Sequence, residues 1–208
     1  MVGCFRNPTA VTGELLQHRS LLNGLLLRDE NQNEMKIKIG VMGSAEETPS
    51  VREKAIELGR CIAAHDLILL TGATTGVVYL AGYTARKAGA LHIGISPGHD
   101  AREHTERYGL PTDACDAIIY TGFGLKGRNV VLVRSCDVVL FIAGSIGSLN
   151  EFSIAYDEGK IIGCLSGTGG VADEIEELVK IFQKKTEARV FYDDEPKRLI
   201  DKCLAEVP

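Results

Sequence analysis

From Met35 onward, short runs of apolar, β-branched residues alternate with longer stretches in which apolar positions recur every three or four residues. That rhythm predicts strand and helix in turn. It places strands at Lys36–Met42, Asp66–Leu70, Ala90–Ser96, Ala117–Tyr120, Asp137–Ile142, Ile161–Leu165 and Arg189–Tyr192. Helices are placed at Ser50–Ala64, Gly76–Ala88, Leu125–Arg134, Ser148–Glu158, Ala172–Lys184 and after Asp193. Asn129–Val133 is β-branched enough to pass for a strand, and the alternation assigns it to a helix because parallel neighbours need a crossover there. Strands rich in Val and Ile on both faces predict a mostly parallel sheet covered by helices on both sides, an α/β fold.

Residues 1–34 stand outside the alternation. Leu15, Leu16, Leu21, Leu22, Leu25 and Leu26 could line one side of a short amphipathic helix, followed by a polar break at Arg28–Glu34. This N-terminal extension packs on a partner or on the body, or is simply a start upstream of Met35, and no chemistry is expected of it. Residues 35–208 are expected to form a single domain.

The 208 residues, 45% hydrophobic and 25% charged, are enough for one core. A net charge of -5 argues against a nucleic acid polymer or an anionic membrane as main partner, since both ask for a basic face. A small anion in a local pocket stays open. No apolar run approaches the ~20 residues of a membrane span, and no secretory leader is evident, so a cytoplasmic protein is expected. The six cysteines form no C-x-x-C pair, which supports neither a structural zinc nor a redox motif, and most are expected in the core.

Three glycine turns fall at predicted strand ends: Gly43-Ser44, Thr71–Gly76 around Gly72, and Ala143–Ser148. In a parallel sheet these ends share one edge, where ligands bind. None matches G-x-G-x-x-G or a Walker loop, so nicotinamide dinucleotides and ATP hydrolysis lose ground. The richest turn, Ala143-Gly-Ser-Ile-Gly-Ser148, opens a helix, where backbone amides and the helix dipole attract an anion.

Glu151 sits one turn inside that helix. Ser148-Leu-Asn-Glu151 is a capping-box pattern, which explains both residues without chemistry. Beside an anion loop the carboxylate is equally a catalytic candidate, and the helix dipole favours its ionised form. Gly122–Asn129 puts Lys126 and Arg128 at a helix start, where the dipole disfavours cations; a bound phosphate would compensate, and the alternative is a solvated surface arginine. Pro97–His104 carries two histidines and two carboxylates in no established zinc spacing, and reads as a surface loop or lid. Ser166–Gly170 either walls the pocket or is a plain turn.

Together these motifs resemble the LOG family, nucleoside 5′-monophosphate phosphoribohydrolases often labelled lysine decarboxylase-like. Ala143–Glu151 is similar to the family's P-G-G-x-G-T-x-x-E signature. Gly40–Ser44, Leu70–Pro97, and Gly127-Arg128 followed by Ser135–Asp137 are similar to its other segments. The resemblance implies a Rossmann-like three-layer α/β/α fold, a homodimer, and cleavage of an N-glycosidic bond to free base and ribose 5-phosphate. It implies Arg128 and Glu151 as the catalytic pair. Gly144, Ser145, Ile146, Gly147 and Ser148 form the implied phosphate loop, with Gly43, Ser44, Gly72 and Asn129 completing a nucleotide site that needs no metal or resident cofactor. The chain departs from the signature at Ala143, Ser145 and Ser148, and has Asn129 where the hydrolases usually have lysine. This Arg-Asn form resembles a sister branch of the SLOG superfamily that includes molybdenum-cofactor-carrier-like proteins. Two functions therefore stand open: the hydrolase, and a non-catalytic carrier of a nucleotide or pterin phosphate.

Overall fold

The computed structural model describes residues 35–45, 48–182 and 184–208. The leucine-rich segment at 1–34 lies outside the described residues. Seven strands, β1 (Lys38–Gly43), β2 (Ile68–Thr71), β3 (Leu91–Ser96), β4 (Ala117–Tyr120), β5 (Val138–Ile142), β6 (Ile161–Leu165) and β7 (Arg189–Asp193), form one sheet. Its order is β4-β3-β2-β1-β5-β6-β7, and every neighbouring pair is parallel. The sequence pattern predicts a mostly parallel sheet; the observed one is parallel throughout.

The helices are α1 (Pro49–Ala63), α2 (Gly76–Lys87), α3 (Gly124–Ser135), α4 (Ile146–Asp157), α5 (Gly170–Phe182) and α6 (Pro196–Leu204). Successive strand residues point to opposite faces, so a central strand feeds two cores. Val138, Leu140 and Ile142 of β5 join Ile39 and Val41 of β1 beneath α1, α2 and α6. Val139 and Phe141 join Met42 beneath α3, α4 and α5. The two layers of helix around one sheet make the Rossmann-like three-layer α/β/α architecture.

Helix α1 starts with Pro49, whose fixed φ and missing N–H suit a first helical position, and buries Val51, Ala55, Leu58 and Ile62 on one stripe. Asn129–Val133 is helical, within α3: Leu132 and Val133 enter the core beside Phe152, and this tertiary gain overrides local strand propensity. Phe141 and Phe152 meet edge to face at 5.9 Å, locking α4 onto β5. Asp137 Oδ2 accepts from both the backbone N–H (2.8 Å) and Nζ (2.7 Å) of Lys38, which pins the start of β1 beside β5.

The topology also creates the place where a ligand can sit. From β1 the chain winds outward to β2, β3 and β4, then crosses back to β5 on the other side of β1. Connections after β1 and β5 therefore leave the sheet in opposite directions, opening a crevice at their carboxyl ends. No helix among the described residues is long and apolar enough to cross a membrane.

Candidate functional site

The crevice holds a cleft of about 190 Å³ lined by Gly43 after β1, Gly72 and Thr74 after β2, Lys126, Arg128 and Asn129 of α3, and Ser145, Gly147, Ser148 and Glu151 after β5. The three predicted glycine turns thus converge, and α3 adds a fourth side to the cleft. The remaining predicted site residues have other places. Gly144 lies behind the rim, Ile146 turns outward with 72% of its surface exposed, and Ser44 uses its carbonyl to accept from Val77 N–H at the start of α2 (3.1 Å). Thr74, within the predicted Thr71–Gly76 turn, also lines the cleft, as does Ala45, which the sequence does not mark because it carries no distinctive chemistry of its own.

The turn Ala143–Ser148 has an unusual backbone. Ala143 adopts φ 52°, a left-handed conformation that costs a residue with a Cβ about 1 kcal/mol or more, and Gly144 follows at φ 100°. A Cβ at Gly144 would stand 2.6 Å from Ser148 Oγ, so only glycine fits there. The strained turn is held from behind. Ala143 N–H donates to Thr168 Oγ1 (2.8 Å), while the carbonyls of Ala143 and Gly144 accept from Ala172 and Val171 (2.9 and 3.0 Å). Ser166–Gly170 is therefore a brace for the loop and not a cleft wall.

Helix α4 begins at Ile146, two residues earlier than expected. Leu149 N–H is bonded back to Ser145 O (2.9 Å), and the amides of Ile146, Gly147 and Ser148 have no acceptor inside the helix. Ser148 is consequently inside the first turn, where it donates to Gly43 O (3.3 Å), and no side chain caps the helix. The capping-box explanation of Ser148 and Glu151 is overturned by this geometry.

Glu151 instead faces Arg128, with Oε1 3.5 Å from Nη1 and the two side chains 9% and 5% exposed. Asn129 joins them. With its amide and that of Asn150 both turned, so that Asn150 donates to the Asn129 oxygen (2.9 Å), Asn129 donates to Glu151 Oε1 (3.1 Å) and to Leu125 O (2.9 Å). Burial pushes the Glu151 carboxyl up to about 7 against the opposing pull of Arg128 and Lys126. The expectation of an ionised carboxylate favoured by the helix dipole thus meets an opposing effect, since desolvation favours the protonated form of Glu151. Burial also pulls the Arg128 guanidinium downward, with Glu151 opposing. Arg128 Nε is fully buried and has no hydrogen-bond partner among the described residues, an expensive arrangement for a cation. The surface-arginine alternative is excluded.

The loop at Pro97–Pro111 is more built than a lid. His104 is fully buried within a short π-helical turn, Glu103–Arg107, while His99 and Asp100 lie exposed. Among the described residues no group of three metal-binding side chains comes together. Of the cysteines, Cys115, Cys136, Cys164 and Cys203 are buried and Cys61 is partly so.

An all-parallel Rossmann-like sheet with an arginine, a carboxylate and a glycine-containing turn at its switch point places the chain among the Rossmann-like α/β proteins. The model of the SLOG cluster4 family matches residues 36–200, and the chain belongs to that family. Among solved structures it is similar to TM1055, at 26% identity over 82% of this chain and 99% of the other, with a TM-score of 0.70. It is similar to the molybdenum cofactor binding protein of Rippkaea orientalis, at 29% identity over 85% of this chain and 100% of the other, with a TM-score of 0.66. A third likeness is to the Moco carrier protein of Chlamydomonas rheinhardtii, at 27% identity, 83% and 100% coverage, and a TM-score of 0.65.

Proposed function

We propose that this protein binds a small phosphate ester of the molybdenum-cofactor type, a pterin carrying a phosphate, and holds it without breaking it. The observation that carries this is the buried Arg128, whose Nε lacks a partner among the described residues and whose side chain lines one cleft with Ser145, Gly147 and Ser148 at the start of α4. A phosphate seated there would meet a guanidinium and free amides together, the combination that anions select. About 190 Å³ is below the size of a pocket that engulfs a whole organic ligand, so the phosphate enters and the pterin lies across the rim formed by Ala45, Leu125 and Lys126. Two of the similar structures are of proteins described as molybdenum cofactor binding or carrier proteins, which supports the choice of ligand.

The hydrolase remains the second reading, because Arg128 and Glu151 are brought within 3.5 Å. In it, Glu151 would stabilise positive charge growing on the ribose as the N-glycosidic bond breaks. Two features favour the carrier. Glu151 is already engaged by Arg128 and Asn129, and Ala143 at φ 52° puts the turn on a backbone path the signature's proline cannot take. A homodimer belongs to the same proposal; Phe123, Leu125 and Ile146, exposed on the two turns that frame the cleft, are the apolar surface it would cover.

The test is to present the purified protein with molybdenum cofactor released from a molybdoenzyme and, separately, with AMP, GMP and CMP. The expected result is co-elution and protection of the cofactor with no free base from any mononucleotide. Base release that Glu151→Gln abolishes would establish the hydrolase instead.

A further inference from the structure

Two buried histidines stand behind the site in matching arrangements, and neither is explained by the cleft itself. Thr71 ends β2, and its Oγ1 lies 2.8 Å from His92 Nε2 while accepting from Ala73 N–H (3.2 Å). Ser96 ends β3, and its Oγ lies 2.8 Å from His104 Nδ1 while accepting from Gly98 N–H (3.0 Å). In each case the second ring nitrogen faces a carbonyl: His92 Nδ1 is 2.6 Å from Ala114 O, and His104 Nε2 is 3.1 Å from Pro111 O. A carbonyl only accepts, so those nitrogens carry a proton, and the geometry sets the other nitrogen of each ring to accept from the hydroxyl. The partners therefore dictate opposite tautomers, Nδ1–H at His92 and Nε2–H at His104.

Each hydroxyl, with its own proton committed to a histidine, is oriented to receive the backbone N–H two residues on. What those turns hold is the surroundings of Arg128. The Thr71 turn carries Ala73 at a strained φ of 49° and presents Gly72, against which the guanidinium lies. Room for this device is cut into its neighbours: a Cβ at Gly82 would fall 2.9 Å from His92 Nδ1, and one at Gly94 would fall 2.8 Å from the Ala73 methyl. The Ser96 turn receives the connection into α3. Thr121 N–H donates to Ser96 O (3.2 Å), Gly122 N–H to Gly98 O (2.9 Å) and Gly124 N–H to Pro97 O (3.0 Å). Gly124 is the first residue of the helix that bears Arg128.

We propose that His92 and His104 are positioning residues for Arg128, acting through Thr71 on the surface its guanidinium rests on and through Ser96 on the start of its helix. This assignment rests on Arg128 being the anion's partner.

The experiment uses the full ¹⁵N-labelled chain. The Arg128 Nε–H cross-peak, identified by its loss in Arg128→Lys, is followed while inorganic phosphate is titrated. Wild-type protein is expected to show a saturable shift of that peak, and its histidine ¹⁵N shifts to report Nδ1–H at His92 and Nε2–H at His104. Thr71→Val and Ser96→Ala are each expected to raise the phosphate Kd about fivefold or more and to move the Arg128 peak in the free protein, while Thr71→Ser stays within about twofold of wild type. Folded Thr71→Val and Ser96→Ala proteins with wild-type Kd and an unmoved peak would overturn the positioning role alone, as would the opposite tautomers. If Thr71→Val fails to fold, Ser96→Ala and the wild-type tautomers decide. A wild-type Arg128 peak indifferent to phosphate would remove the anion site itself, and the positioning role with it.

Discussion

The guanidinium of Arg128 packs directly on the α-carbon of Gly72, where a built Cβ would lie 2.6 Å from Cζ. This approach explains why a glycine follows β2, because any side chain there would drive the arginine off its seat. Gly72→Ala should therefore displace Arg128 while leaving the sheet intact, since the clash is with the end of a side chain and not with backbone. Phosphate affinity is expected to fall by about tenfold or more, with a change in Tm of only a few degrees. Calorimetric titration beside a thermal melt checks both, and undiminished binding would mean that the arginine's place on Gly72 is irrelevant to the ligand.

Glu151→Gln keeps the size and the acceptor that face Arg128 and Asn129 but removes a negative charge from beside the phosphate. In a carrier, the substitution should tighten anion binding severalfold above pH 7, where the wild-type carboxyl is mostly ionised, and change it little near pH 5.5. In a hydrolase the same variant would bind and lose turnover. Comparing Kd at two pH values with base release from AMP separates the two outcomes.

The same carboxyl ties stability to pH. Its folded pKa of about 7 lies above the ordinary glutamate value of 4.5, so the native state holds the proton more tightly than the unfolded chain does. Below about 4.5 both states are protonated and nothing is lost; as pH rises from there through about 7, the native state is progressively destabilised, by on the order of 3 kcal/mol in all, and the loss levels off above that. Urea unfolding of wild type at pH 5 and pH 8, referenced to Glu151→Gln, isolates this contribution. Wild type that loses no stability relative to the variant between those two pH values would contradict a raised carboxyl pKa.

The alternation of strand and helix was legible from the chain because the central strands β1, β5 and β6 are buried on both faces and the helices bury one side, so period and composition agree. Two of the converging turns were legible for a related reason: Gly43 and Gly72 stand where backbone or an arginine comes close, and glycine is the residue that permits it. The electrostatics of Glu151 were not legible. Its position after a helix start pointed to ionisation, whereas burial beneath α3 decides its titration, and burial depends on what packs above it. His104 was hidden similarly. Its charged neighbours Arg102, Glu103 and Glu106 read as surface, yet one ring among them turns inward to meet Ser96.

Ala143 offers the sharpest contrast between a motif and a structure. The LOG signature has proline at this position, and proline requires φ near −65°, whereas Ala143 sits at 52° and donates its N–H to Thr168 Oγ1. Restoring the signature by Ala143→Pro should thus remove a buried hydrogen bond and force the turn out of shape, at a cost of about 3 kcal/mol or more, together with loss of phosphate binding. Ala143→Gly acts oppositely. It relieves the left-handed strain, partly offset by the greater freedom of glycine in the unfolded chain, and should leave stability equal to wild type or up to about 1 kcal/mol higher. Urea midpoints for both variants test the pair. A stable Ala143→Pro protein that binds phosphate and releases base from AMP would mean the turn can take up the hydrolase geometry after all, and that only the alanine holds this chain in the carrier form.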